Sequence, residues 1–209
     1  MTPAGLNRVE QGQGTTRHRV LKAAQTCFLE RGYSQTTTRT IADRAGLTER
    51  TLFNLFPSKA ELFRDAVASA VSELGEGGRV RDMAEVRYLA AAPDLASFVN
   101  SFAGTTARLH QRSAPYAAVT LQAAAADEAA AELWRWGKRE QERDVRAVVA
   151  LLVNRVWLPK SRVDDAVDAI IMLTSHETYA QLCLERGWTD NRYTDWLVAH
   201  LHLELAPRV

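Results

Sequence analysis

The chain has 209 residues, 46% hydrophobic and 24% charged, which fits a globular protein long enough for one large domain or a small domain on a larger one. Its 26 bases and 25 acids cancel to +1, so it is not a polybasic, histone-like chain. Two cysteines exclude a disulfide-rich secreted scaffold, and no apolar run reaches the roughly 20 residues that a membrane span needs.

The near-neutral total conceals a split. Residues 1–60 hold nine bases against four acids, a local charge of +5, while the remainder holds 17 bases and 21 acids, or −4. Such asymmetry points to a polyanion-facing segment on a mildly acidic body. The first residues have no apolar stretch of a signal peptide, so the expected compartment is a reducing cytoplasm with no membrane partner.

In chain order, residues 1–14 are rich in Gly, Gln and Asn and read as a flexible tail. Thr16 to Arg31 places Val20, Leu21, Ala24, Cys27 and Phe28 on one helical face, and Gly32 ends it. A short helix follows Thr37, from Thr38 to Ala45, with Ile41, Ala42 and Ala45 inward, and Gly46 breaks it. A second short helix follows Thr48, from Glu49 to Leu55, with Leu52 and Phe53 inward. Pro57 ends that helix, and Ser58 with Glu61 caps the next. The glycines at 75, 77 and 78 read as a linker.

Longer helices are expected beyond. Asp94 caps one carrying Leu95, Phe98, Val99 and Phe102; Pro115 opens another. Asp127 to Trp157 reads as one helix, about 45 Å long at 1.5 Å per residue, with a stripe of Val145, Val148, Val149, Leu152 and Val156. Ser161 caps a helix reaching Arg186, and a last one runs from Arg192 to Leu205. With strand patterns nearly absent, the expected fold is all-α with about nine helices.

The informative stretch is Gln35 to Leu62. Two short helices flank Ala45, Gly46, Leu47 and Thr48, the spacing of a helix-turn-helix with glycine where positive φ is needed. The outer face of the second helix offers Thr48, Glu49, Arg50, Thr51 and Asn54 to a major groove, where Arg suits guanine and Asn suits adenine. Thr37, Thr38 and Arg39 at the start of the first short helix, and Lys59 after Pro57, are candidates for DNA contact, Thr37 and Lys59 through phosphate.

These residues resemble the TetR family of bacterial transcriptional regulators. The resemblance is carried by Ala23–Ala24, Phe28, Gly32–Tyr33, Thr36–Thr37, Ile41–Ala42, Ala45–Gly46–Leu47, Thr51–Leu52–Phe53, Phe56–Pro57–Ser58–Lys59 and Glu61–Leu62, within residues 16–64. The family commonly has Tyr where this chain has Phe53, so the packing role is expected here without a hydroxyl for phosphate. The resemblance implies an N-terminal three-helix DNA-binding domain at 15–60 and a helical effector-binding and dimerisation domain at 61–209. It also implies a homodimer through the last two helices, a double-stranded DNA operator, a small-molecule effector and, most commonly, repression.

Catalysis has little support. His176–Glu177 begins like a zinc-protease helix, but Ala180 stands where the second His is needed; His200 and His202 point to different sides of a helix. No cofactor or metal is expected. For an effector pocket, Phe98, Phe102, Tyr116, Trp134 and, as a polar candidate, His176 are the residues singled out. Cys27 and Cys183 read as buried thiols. The rival reading is a small-molecule binding or sequestering protein whose head has lost operator recognition.

Overall fold

The apolar stripe predicted for the first helix is a buried seam. Val20, Leu21, Ala24, Cys27 and Phe28 are all fully buried in α1 (Pro3–Gln35), around which the N-terminal elements are built. The structure is a computed structural model describing residues 3–71, 89–125 and 127–206. The predicted linker at residues 75–78 lies outside the described residues. Helix α1 is bounded from Pro3, so its span takes in most of residues 1–14, where the sequence suggested a tail. Regular geometry breaks at Gly32 (φ 74°, ψ 171°), the residue expected to end the helix.

There follow α2 (Thr38–Ala45), α3 (Glu49–Leu55) and α4 (Lys59–Val71). Next come α5 (Leu95–Ala124), α6 (Glu128–Asn154), a 3₁₀ turn (Lys160–Arg162) and α7 (Val163–Leu173). The chain closes with α8 (His176–Tyr179), a π-helical segment (Ala180–Glu185) and α9 (Asp190–Leu205). The described residues are all-α, with no strand among them.

They divide into two compact units: Met1–Gly78 with Pro115–Trp134, and Arg79–Ala114 with Arg135–Val209. Each unit has its own core. The first gathers α1, α2, α3 and α4 around Phe28, Ile41, Leu52, Phe56, Leu62 and Phe63, joined by Tyr116, Ala123 and Ala130. The second is built on Phe98, Val99, Val149, Leu152, Ile170, Tyr193, Leu197 and Leu201.

Several expectations for the longer helices need correction. Pro115 does not open a helix; it lies inside α5, at the boundary between the two units. A mid-helix proline removes one backbone hydrogen bond and crowds the preceding turn, at a cost of about 3 kcal/mol, so packing on either side must hold α5 continuous. Val156 does not continue the α6 stripe. Val145, Val148, Val149 and Leu152 are buried, but α6 ends at Asn154 and Val156 turns out with φ 59° and 89% exposure. Ser161 makes no cap, because residues 160–162 form a 3₁₀ turn without a side-chain cap bond. The helix expected from Ser161 to Arg186 is interrupted at Thr174 and Ser175. There the Thr174 hydroxyl donates to the Ile170 carbonyl (2.7 Å), and Ser175 caps α8 by accepting from the Thr178 amide (3.0 Å).

The cap at Asp94 matches the expectation. Asp94 accepts from the Ser97 amide (2.7 Å), which holds its carboxyl below the usual carboxylate range. Asp127, expected as the first residue of the next helix, instead precedes α6 and caps it by accepting from the Ala130 amide (2.9 Å). No helix among the described residues is long and apolar enough to cross a membrane.

Candidate nucleic-acid interface

The first unit presents two short helices joined by a tight turn, and local chemistry explains the geometry. Thr37 has extended backbone and accepts the Thr40 amide on its hydroxyl oxygen (3.1 Å), starting α2. Thr48 does the same for the Thr51 amide (3.2 Å), starting α3. Side-chain acceptors of this kind satisfy amides that a helix N-terminus leaves unpaired. Between them Gly46 takes the left-handed conformation (φ 66°, ψ 40°), with its amide on Asp43 (3.1 Å) and the Leu47 amide on Ala42 (2.9 Å). That pair of bonds closes the C-terminus of α2 and turns the chain into α3.

The two helices are held from below by the core. Ile41, Ala42 and Ala45 of α2 are buried, as are Leu52 of α3 and Phe56 just after it. Phe28, Tyr33 and Phe63 form an aromatic cluster beneath, with ring centres 4.6–5.8 Å apart. The buried Thr36 hydroxyl donates to the carbonyls of Gly32 (2.7 Å) and Cys27 (3.0 Å), fixing the passage from α1 into α2. The predicted inward role of Phe53 is overturned. Leu52 occupies the core-facing position, and Phe53, about 100° further round α3, is 46% exposed. The second anchor of this region is Phe56, which closes the helix rather than belonging to it.

The outward face carries Arg39 of α2 and Glu49, Arg50 and Asn54 of α3, all exposed, with Thr37 and Thr48 exposed at the two N-caps. Thr51 is half-buried and its hydroxyl lies 2.9 Å from that of Thr48. Thr38 donates its hydroxyl to the Glu49 carboxylate (2.8 Å), tying the start of α2 to the start of α3. Eight of the nine sequence candidates (Thr37, Thr38, Arg39, Thr48, Glu49, Arg50, Thr51 and Asn54) therefore lie on or cap one pair of linked helices. Lys59 is placed differently: its ammonium donates to the Tyr33 carbonyl (3.1 Å) and sits 4.2 Å from the centre of the Tyr33 ring.

The positive excess is partly engaged within the unit. Arg44 of α2 binds Glu30 of α1 through both terminal nitrogens (3.1 and 2.8 Å), and this holds the Glu30 carboxyl below its ordinary value. Arg17 binds Asp65, donates to the Leu55 carbonyl (3.1 Å) and lies 4.2 Å from the centre of the Phe56 ring. Arg17 thus locks α1 to α4 and to the end of α3. Glu30 is already subtracted in the local charge of +5, whereas Asp65 lies beyond residue 60, 48 positions from Arg17, so of these two pairs only Arg17–Asp65 lowers the excess read from the sequence.

The five residues singled out for a pocket fall in both units. Phe98 is buried in the second, with Phe102 and Trp157 about it at centroid distances of 6.2 and 6.1 Å. Tyr116 is buried in the first unit, where Trp134 is half-buried. His176 belongs to a polar cluster inside the second unit that the sequence did not reveal. Its Nε2 lies 2.8 Å from the Ser113 hydroxyl, and its ring centre lies 4.9 Å from that of buried His110. His110 Nδ1 is 3.2 Å from the Tyr193 hydroxyl, and the Tyr179 hydroxyl donates to Asp190 (2.9 Å). Burial lowers the pKa of His110 to about 3 and that of His176 to about 4, so both are neutral near pH 7. The second unit also carries a groove of about 430 Å³, lined by Val149, Val153, Val163 and Val167 with Arg146 and Lys160; none of the five expected residues lines it. Cys27 is fully buried and Cys183 half-buried, and burial raises both thiol pKa values, which suits inert thiols. No group of three or more His, Cys, Asp or Glu suited to a metal occurs among the described residues.

The sequence model of the bacterial regulatory proteins of the tetR family matches residues 20–66, the stretch from the α1 seam to buried Ala66 of α4. No curated protein matches the chain by sequence. Solved structures do match by fold. A protein from Mesorhizobium loti assigned to the TetR-family transcriptional regulators is similar with a TM-score of 0.69 at 19% identity, over 92% of this chain and 96% of that one. Another so assigned, from Syntrophomonas wolfei, has a TM-score of 0.73 at 14% identity, over 93% and 97%. The TetR-family regulator PfmR from Thermus thermophilus has 0.55 at 20%, over 91% and 100%. At these identities the likeness is one of fold.

Proposed function

We propose that this chain, which through residues 20–66 is a TetR-family DNA-binding transcriptional regulator, is a homodimeric repressor released from a near-palindromic operator by a small-molecule effector. The observation that carries the reading is the capped pair α2 and α3, rigidly seated on α1 and α4 with Arg39, Arg50 and Asn54 turned to solvent. A rigid short helix with exposed Arg and Asn can present bidentate donors to guanine and adenine edges in a major groove. Thr37, Thr48, Thr51 and Lys59 flank it as hydroxyl and ammonium groups for phosphates, while Thr38 gives its hydroxyl proton to Glu49 and links the two helices. Two such heads in a symmetric dimer would read half-sites about one helical turn apart.

Homodimerisation through the last helices is supported by large apolar side chains left exposed there: Met172 on α7, Leu184 on the π segment and Leu203 on α9. Effector binding in the helical domain is supported by the apolar groove with two basic residues. An effector releases DNA only to the extent that it binds the non-reading conformation more tightly than the reading one. The work of such a regulator lies where the chromosome is, which agrees with a cytoplasmic protein.

A mobility-shift titration with DNA from around the protein's own gene tests the reading. A salt-sensitive, sequence-preferring complex at sub-micromolar protein is expected. Tight small-molecule binding without preference for any DNA would favour the sequestering protein instead.

A further inference from the structure

We propose that Phe53 reads a thymine methyl group in each half-site, making it a specificity-determining residue; the inference rests on the DNA-binding reading above. Leu52 and Phe56 fill the core beneath α3, and Leu47 and Leu55 pack along its edge. Phe53 stands outside that core, 46% exposed on a helix whose other outward side chains are polar. At about 100° per residue it lies about 60° round the helix from Arg50 and about 100° from Asn54, so it shares their outward side.

The chemistry of the ring narrows its partner. It carries no hydroxyl or charge with which to bind a phosphate. Base edges in the major groove present hydrogen-bonding groups and, on thymine alone, an apolar C5-methyl. An exposed ring beside an arginine and an asparagine that address donors and acceptors completes a mixed readout: polar groups for purines, an apolar surface for thymine. Phe53 distinguishes thymine from cytosine, which lacks the methyl.

The test is a coupling cycle on an operator selected by the wild-type chain from random-sequence duplexes. Each thymine is replaced singly by deoxyuridine, which removes only the methyl, and affinity is measured for wild type, Phe53→Ala and Phe53→Leu. At one thymine per half-site the replacement should weaken wild type about fourfold, equivalent to about 0.8 kcal/mol for one buried methyl-sized group. The same replacement should leave Phe53→Ala unaffected and should keep part of its effect in Phe53→Leu. Both variants should unfold at the wild-type temperature, since the ring lies outside the core; should Phe53→Ala fail to fold, the cycle with Phe53→Leu decides. Equal deoxyuridine penalties in wild type and variant at every thymine, with operator preference intact, would overturn the inference. Failure of the wild-type chain to select any sequence would instead remove the DNA-reading proposal itself, and this one with it.

Discussion

The ammonium of Lys59 lies 3.1 Å from the carbonyl oxygen of Tyr33 and 4.2 Å from the centre of its ring, so the first residue of α4 is fastened to the end of α1. An ammonium has three donors, and one of them is directed at Tyr33. The same side chain can therefore brace the head and approach a phosphate. Lys59→Ala is expected to do two things. It should lower stability by about 1 kcal/mol through the lost hydrogen bond and cation–π contact. It should also weaken specific and random DNA alike, flattening the salt slope by about one unit per head. Thermal unfolding and a salt series on both duplexes check the two effects separately.

Arg50 and Asn54 differ from Lys59 in being exposed on α3. Replacing either by Ala should leave the unfolding midpoint within the usual surface range of about 0.5 kcal/mol. Binding to the operator should fall by about 1–3 kcal/mol, with relaxed preference at particular base pairs. Competition against single-base operator variants measures it. Equal losses on random DNA would refute the division of roles between α3 and Lys59.

Backbone strain gives a pair of opposite expectations. Gly46 has φ 66° with nothing within 4 Å of an added Cβ, so Gly46→Ala should cost about 1 kcal/mol from backbone conformation alone. Val156 has φ 59° and is 89% exposed, so Val156→Gly relieves the same strain and gives up little packing. It should stabilise by up to about 1 kcal/mol. Denaturant unfolding of both variants reads the two signs.

The histidine pair gives stability a pH dependence. Folding lowers the His110 pKa to about 3 and the His176 pKa to about 4, against 6.5 unperturbed. Between about pH 4 and 6.5 the unfolded chain binds more protons at these sites than the folded one. Stability therefore falls as pH falls through that window, with a slope approaching about 2.7 kcal/mol per pH unit for two groups. The contribution is complete above 6.5 and stops changing below about 3. His176→Gln, which can still accept from Ser113, should halve the slope in unfolding experiments run from pH 7 to 4.5.

How much of this was legible in the sequence follows the range of the interactions. The α2–turn–α3 unit is written locally: Thr37, Gly46 and Thr48 act on backbone groups three or four residues away, and their types state the geometry. Phe53 misled because α3 has only seven residues, too few for apolar spacing to tell which of two adjacent side chains faces inward. Pro115 misled in the opposite sense: a local helix breaker by type, it lies inside α5 between buried Ala114 and Tyr116. The break at Thr174 and Ser175 was hidden inside an apolar helical pattern. The cluster of His110, Ser113, His176 and Tyr193 joins residues 63 and 83 positions apart, which no local spacing encodes.

The most direct test of the account is the ratio of affinities for a selected operator and for a scrambled duplex of the same composition, measured by fluorescence anisotropy at about 0.15 M salt. A specific reader is expected to prefer its operator by at least about 10³, the lower end for such proteins. That preference should fall in Arg50→Ala. Equal affinity for the two duplexes would contradict the claim that α3 reads sequence.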